Sequence, residues 1–124
     1  MNAKKPNIIR DKSFEFALRV VKLYKFLCEE KKEFVMSKQL LRSGTAIGAL
    51  VREAEHAESK ADFIHKLAIA QKEANETDYW LALLFQSSYL EENQYQSIIQ
   101  DIQEINKILA SIIISSKQNQ YSKK

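Results

Sequence analysis

The sequence predicts an all-α protein in which four long helices form an up-down-up-down bundle. Its 124 residues include only two glycines and one proline. Turns depend on those residue types, so few turns are expected. Apolar residues recur every three or four positions along four long segments, which is the period of a helix face. The links between the segments are short, and short links make consecutive helices antiparallel neighbours. The length suits one domain with a core of its own.

The first helix is predicted at about residues 12–31, after a flexible basic arm at residues 1–11. Asp11 or Ser13 can cap it, because a side-chain oxygen accepts from free N–H groups of the first turn. Its apolar residues form two overlapping stripes, which are Phe14, Ala17, Val21, Tyr24, Cys28 and Phe16, Val20, Leu23, Leu27. At ~100° per residue they cover more than half of the helix, whereas a single core covers about a third to a half. The excess predicts burial against partner subunits.

The second helix is predicted at about residues 37–57, with Ser37 as its cap. Its core stripe is Leu40, Gly44, Ile47, Val51 and Ala54. Gly44 and Gly48 lie one turn apart inside it, and each costs roughly 1 kcal/mol relative to alanine. This pattern predicts the close approach of another helix backbone.

The third and fourth helices are predicted at about residues 59–88 and 92–116, and a polar tail at residues 117–124. Ser59 and Asp62 have the spacing of a capping box. The core stripe of the third helix is Phe63, Leu67, Ala70, Ala74, Thr77, Leu81 and Leu84. That of the fourth is Tyr95, Ile98, Ile102, Ile105, Leu109 and Ile112.

The tight corner near Glu58 sets the register between the second and third helices. Counting outward from Glu58 places Arg42 opposite residue 74, so Arg42 is expected beside Glu73 or Glu76. These three residues are predicted to form a structural polar cluster. The neighbouring Tyr79 and Trp80 are interpreted as core or interface aromatics rather than as a base-stacking platform.

No motif indicates catalysis, so the protein is expected not to be an enzyme. The sequence lacks the Gly-x-Ser-x-Gly elbow, the phosphate-binding glycine loop and Cys-x-x-Cys. Glu53-x-x-His56 and Asp62-x-x-His65 resemble parts of a di-iron site. Both flank the corner at one end of the bundle, however, whereas such sites lie in its middle. Neither a metal nor another cofactor is expected.

Charge is distributed unevenly along the chain. Residues 1–25 carry seven basic and two acidic residues, a balance of +5, whereas the whole chain is +3. Five basic residues on the first two helices are candidates for nucleic-acid binding between subunits, namely Arg19, Lys22, Lys38, Arg42 and Arg52. The alternative is an ordinary solvated helix face.

Several features favour a cytoplasmic location. Cys28 is the only cysteine and is interpreted as a small apolar residue. The sequence shows neither a signal peptide nor an apolar run that could span a membrane.

Two motifs also resemble a known family. They are Gln39-Leu40-Leu41-Arg42-Ser43-Gly44-Thr45, followed by Ile47-Gly48-Ala49, and Lys72-Glu73-Ala74-Asn75-Glu76-Thr77-Asp78-Tyr79-Trp80-Leu81. With Lys12-Ser13-Phe14-Glu15-Phe16-Ala17, Glu53-Ala54 and Asp62-Phe63-Ile64, they are similar to the bacterial proteins named after the 23S rRNA intervening sequence. The similarity runs from about Lys12 to Phe85.

The resemblance implies a left-handed bundle and a homopentameric ring. It also implies similarity to the accessory variability protein of diversity-generating retroelements, which binds nucleic acid and a reverse transcriptase. By analogy, Arg42 and the basic residues of the first two helices would contact nucleic acid. The family usually has Ser and Asn where this chain has Ala46 and Leu50. If those two polar groups form a site in relatives, that site is weakened in this chain. If they only form hydrogen bonds within the bundle, apolar residues of suitable shape are nearly neutral replacements.

The expected function is therefore that of a non-enzymatic homo-oligomer. Its expected partners are further copies of itself and RNA or a reverse transcriptase-type protein, and no membrane. The alternative is a protein-interaction scaffold that does not bind nucleic acid.

Overall fold

The four predicted helices are present in the computed structural model, which describes residues 4–122 and the side chains of residues 8–119. They are α1 (Lys4–Glu29), α2 (Met36–Glu55), α3 (Lys60–Gln86) and α4 (Glu92–Ser122). Residues 4–122 contain no β-strand. Each helix packs against the next one, and α1 also packs against α4. The prediction of an all-helical four-helix bundle is confirmed.

The first and last helices are longer than predicted. Residues 4–11 belong to α1 rather than to a separate arm, because Ile9 is buried in the core. Pro6 lies in the first turn, where no intrahelical bond needs its missing N–H. At the other end α4 continues to Ser122, because no glycine or proline interrupts residues 117–122. Residues 1–3 and 123–124, the ends of the predicted arm and tail, lie outside the described residues.

Left-handed backbone conformations follow the ends of α1 and α3. Lys32 has a φ of 53° and Ser88 a φ of 71°. A residue in this region commonly terminates a helix, since it turns the chain away from the helix axis. The two helices accordingly end at Glu29 and Gln86, two residues earlier than predicted.

The N-terminus of α2 is capped by Glu33, not by Ser37 as predicted. The Glu33 carboxylate accepts backbone N–H groups from Val35 at 3.1 Å, Met36 at 2.9 Å and Ser37 at 2.7 Å. Ser37 lies inside α2, and its hydroxyl donates to the carbonyl oxygen of Glu33 at 2.8 Å. A carboxylate spans three donors where a hydroxyl reaches one, and its charge suits the positive end of the helix dipole.

Burial favours protonation of Glu33, which is only 7% exposed. Burial alone therefore raises the pKa of this carboxyl group. The hydrogen bonds from Met36, Ser37 and Val35 outweigh that effect and leave the pKa below its ordinary value. Glu33 is thus a buried carboxylate whose charge the helix terminus stabilises.

The capping box predicted for α3 is confirmed. The Ser59 hydroxyl accepts the N–H of Asp62 at 3.0 Å, and the Asp62 carboxylate accepts the N–H of Glu58 at 3.2 Å. These two hydrogen bonds stabilise the short corner between α2 and α3.

The predicted core stripes are buried in α2 to α4, apart from half-buried Phe63 and Tyr95. In α1 the two stripes separate. Phe16, Val20 and Leu27 of one stripe are buried, and Leu23 is half-buried. In the other stripe Phe14 is 49% exposed, and the remaining four residues are half-buried. One chain therefore buries one apolar face of α1 more fully than the other.

Side-chain contacts between α2 and α3 show that these two helices run in opposite directions. Near the middle, the buried hydroxyls of Ser43 and Thr77 are 2.9 Å apart. Near the corner, Lys66 Nζ lies 3.1 Å from a carboxylate oxygen of Glu53. Residue numbers thus rise along α2 as they fall along α3.

Candidate nucleic-acid interface

The predicted polar cluster is assembled around Arg42. Its guanidinium on α2 contacts Glu73 at 3.3 Å and also pairs with Glu76, both on α3. The indole N–H of Trp80 donates to Glu76 at 3.0 Å. The hydrogen bonds from Arg42 and then Trp80 hold the pKa of Glu76 below its ordinary value. One cation and two carboxylates give this cluster a formal net charge of −1.

Arg19 is also held by neighbouring groups. Its guanidinium lies 2.5 Å from the carboxylate of Asp101 and 3.0 Å from the hydroxyl of Ser97, both on α4. The sequence analysis did not identify these partners. The register between α1 and α4 depends on tertiary packing, since the two helices are separated by the rest of the chain.

The other three predicted cations are exposed. Arg52 lies over the ring of Phe14, with its guanidinium carbon 5.3 Å from the ring centre, an arrangement that favours a cation. Lys22 and Lys38 lie on α1 and α2. Within residues 8–119, neither lysine nor Arg52 forms an ion pair. These three positive charges remain available to an anionic partner.

Next to Arg52, a shallow groove of about 290 Å³ separates α1 from α2. It is lined by Phe14, Ala17, Thr45, Gly48, Ala49 and Arg52. The groove is apolar apart from Thr45 and Arg52. It continues the outward face of α1, where Leu18 is 52% exposed.

The aromatic pair on α3 has one exposed and one half-buried member. The Tyr79 and Trp80 rings meet edge to face with centres 5.0 Å apart. Trp80 packs against the core, whereas Tyr79 is exposed.

Ala46 and Leu50, the two positions at which the chain differs from the family it resembles, lie on α2. Leu50 packs against the core, and Ala46 is half-buried. Neither side chain adds a polar group there.

The Glu-x-x-His and Asp-x-x-His motifs do not converge on a common site. Glu53 pairs with Lys66, and Asp62 caps α3. In the part of the chain that the structure describes, no three His, Cys, Asp or Glu side chains are grouped so as to hold a metal ion. None of the helices within residues 4–122 is long and apolar enough to cross a membrane.

Residues 5–111 match the 23S rRNA-intervening sequence protein family. This match takes in most of the chain, including the helices that hold the Arg42 cluster and the exposed basic residues. The chain belongs to this family. The resemblance drawn from the motifs on α2 and α3 is confirmed.

One solved structure is very similar to the chain. It is a protein of unknown function from the S23 ribosomal protein family of Bacteroides thetaiotaomicron VPI-5482. The two are 65% identical and superpose with a TM-score of 0.87, over 88% of this chain and 97% of the other. No protein of curated function matches the chain.

Proposed function

We propose that the protein is a non-enzymatic homo-oligomer that binds RNA, or an RNA–protein complex, through basic surface repeated around the assembly. Its subunit is a left-handed up-down-up-down bundle, and its assembly is a ring of five. The opposite chain directions of α2 and α3 and the contact between α1 and α4 support that helix order. The proposed location is the cytoplasm.

The outward face of α1 carries the proposal of assembly. Phe14 and Leu18 lie one turn apart and are 49% and 52% exposed. Two large apolar side chains beside an apolar groove form a contiguous patch, and such patches commonly mark protein interfaces. A second subunit packed there would cover Phe14, the exposed member of the second apolar stripe of α1, together with Leu18.

Free positive charge and family membership support the proposal of RNA binding. Lys22, Lys38 and Arg52 have no carboxylate partner in the part of the chain that the structure describes. Each added subunit repeats these charges, and clustered lysine and arginine attract the phosphate backbone. The family is described by its link to a 23S rRNA intervening sequence. A reverse transcriptase-type protein is the proposed partner where RNA is bound as a complex.

The test combines solution mass with RNA affinity. Light scattering should give a mass of several subunits, five in the proposed ring. Structured RNA should bind at low salt, and the logarithm of its binding constant should fall linearly with the logarithm of salt concentration. A monomer contradicts the assembly, and absence of binding at low salt contradicts the RNA function.

One observation favours the second candidate, a protein-interaction scaffold without RNA binding. Asp101 neutralises Arg19, and the two carboxylates around Arg42 outweigh its charge. Two of the five candidate cations are therefore offset inside the subunit. The scaffold predicts an oligomer without salt-dependent RNA affinity, whereas the first proposal predicts an oligomer that binds RNA with salt-dependent affinity.

A further inference from the structure

A second groove, between α1 and α4, combines positive charge with apolar walls. This α1–α4 groove has a volume of about 350 Å³ and is lined by Arg19, Lys22, Leu23, Phe26, Gln94 and Ile98. The volume is at the lower end of the range for small-molecule sites, which begins at roughly 300 Å³. No acidic side chain lines it. We propose that the α1–α4 groove holds one unstacked nucleotide of a single-stranded RNA segment.

The apolar part of the groove suits a nucleobase. Phe26 is half-buried against the core, together with Leu23, and Ile98 on α4 is buried. Single-stranded RNA is bound through bases that pack on aromatic and apolar side chains. These three residues supply such a surface on both sides of the groove.

The polar residues of the groove are arranged to donate hydrogen bonds. The side-chain oxygen of Gln94 already accepts the backbone N–H of Glu91 at 2.8 Å. This contact fixes the amide orientation, so the NH₂ group remains as a donor for an acceptor atom on a base edge.

The two cations of the groove have different roles. Asp101 and Ser97 hold the guanidinium of Arg19 in place. Among the described side chains, its Nε–H has no acceptor. Lys22 has no ion-pair partner there, so its full charge is available to a phosphate. With Asp101 included, the groove keeps a net charge of +1, which favours a nucleotide over a neutral ligand.

This inference rests on the proposed RNA function and names the site at which a base is held. The probe is a short single-stranded oligouridylate that contains iodouridine, with an RNA duplex of the same sequence for comparison. Ultraviolet irradiation followed by mass spectrometry should place the crosslink at Phe26. The single strand should bind more tightly than the duplex, because a paired base is not free to enter the groove.

Substitutions distinguish nucleotide binding in the α1–α4 groove from RNA binding elsewhere on the protein. Lys22→Gln should reduce the magnitude of the salt slope by about 0.7, the value for one phosphate contact to a single strand. Phe26→Leu should weaken binding about fivefold or more through lost stacking. Lys72→Gln removes an exposed lysine from α3 and is the charge-matched control. Lys22 is on the surface, so Lys22→Gln should leave the fold intact. Its effect on RNA binding can therefore be measured even if Phe26→Leu disturbs the fold.

The outcomes are distinct. A crosslink at Phe26 with a larger effect of Lys22→Gln than of Lys72→Gln supports the site. Equal effects of both lysine variants, with crosslinks outside the α1–α4 groove, overturn the site and leave RNA binding intact. Absence of RNA binding at low salt overturns the proposed function, and the nucleotide site with it.

Discussion

Val20 on α1 occupies the space that a side chain at Gly44 on α2 would need. A Cβ atom at Gly44 would lie 2.8 Å from Cγ2 of Val20 and 3.0 Å from Cγ1. Val20 is fully buried, and a β-branched side chain in a helix has essentially one rotamer. At Gly48 the nearest atom to such a Cβ is the Ser13 carbonyl oxygen, at 3.4 Å. A Cβ atom therefore fits at Gly48, whereas at Gly44 it would collide with Val20.

This difference predicts opposite effects of two identical substitutions. Gly44→Ala should lower the free energy of unfolding by about 1 kcal/mol, since overpacking exceeds the gain in helix propensity. Gly48→Ala should raise it by up to about 1 kcal/mol, because its Cβ makes only an ordinary contact. Urea denaturation of both variants and the wild type measures the changes. A Gly44→Ala variant that is at least as stable as the wild type would contradict the tight contact with Val20.

Glu33 should make stability depend on acidic pH. Because its pKa is lower in the folded protein than in the unfolded chain, it stabilises the fold at pH values above its unfolded pKa. That contribution is lost as the pH falls through the folded pKa. Glu33→Gln should therefore be less stable than the wild type at neutral pH, and the difference should shrink on acidification.

Urea unfolding at neutral pH and across the acidic range measures this effect. Glu30→Gln is the control, because Glu30 is exposed and lies three positions earlier in the same corner. Parallel stability curves for Glu33→Gln and the wild type would show that the carboxylate does not stabilise α2.

Arg42 should contribute to stability through its two carboxylate partners. Arg42→Gln leaves Glu73 and Glu76 without their shared cation, and should lower the free energy of unfolding by about 1 kcal/mol. The coupling energy between Arg42 and Glu76 in a double-mutant cycle should be roughly 0.5–1 kcal/mol. It should fall with added salt, because Arg42 is half-exposed.

Lys38→Gln provides the matched stability control, since Lys38 is an exposed cation on the same helix without an ion-pair partner in the described residues. Equal losses for the two variants would assign the effect to general charge rather than to the cluster.

The exposed face of α1 should control assembly without controlling the fold. The double variant Phe14→Ser, Leu18→Ser should keep its helical circular dichroism while its solution mass falls. Both side chains are half-exposed in one chain, so the subunit core loses little, whereas a subunit interface loses two apolar anchors. Light scattering over a dilution series measures the change.

The control for this variant is Ile114→Ser, which removes an exposed apolar side chain from α4. Its mass should equal that of the wild type. If the Phe14→Ser, Leu18→Ser variant also keeps the wild-type mass, the subunit interface lies elsewhere.

The sequence alone predicted those parts of the fold that depend on local periodicity. The 3.6-residue period of apolar side chains identified four helices and most core residues. The tight corner at Glu58 brought Arg42 opposite Glu73 and Glu76, because register over a short antiparallel link follows from counting. The Ser59–Asp62 cap was likewise visible, since both partners lie within one turn of the same chain segment.

The tertiary structure decided the relationships that join distant parts of the chain. It showed that Phe16 of one α1 stripe is buried while Phe14 of the other is exposed, because the positions of α2 and α4 select the covered face. It also paired Arg19 with Asp101 and formed the groove beside Lys22. No periodicity in the sequence sets the register of α1 against α4, since it results from packing the whole bundle.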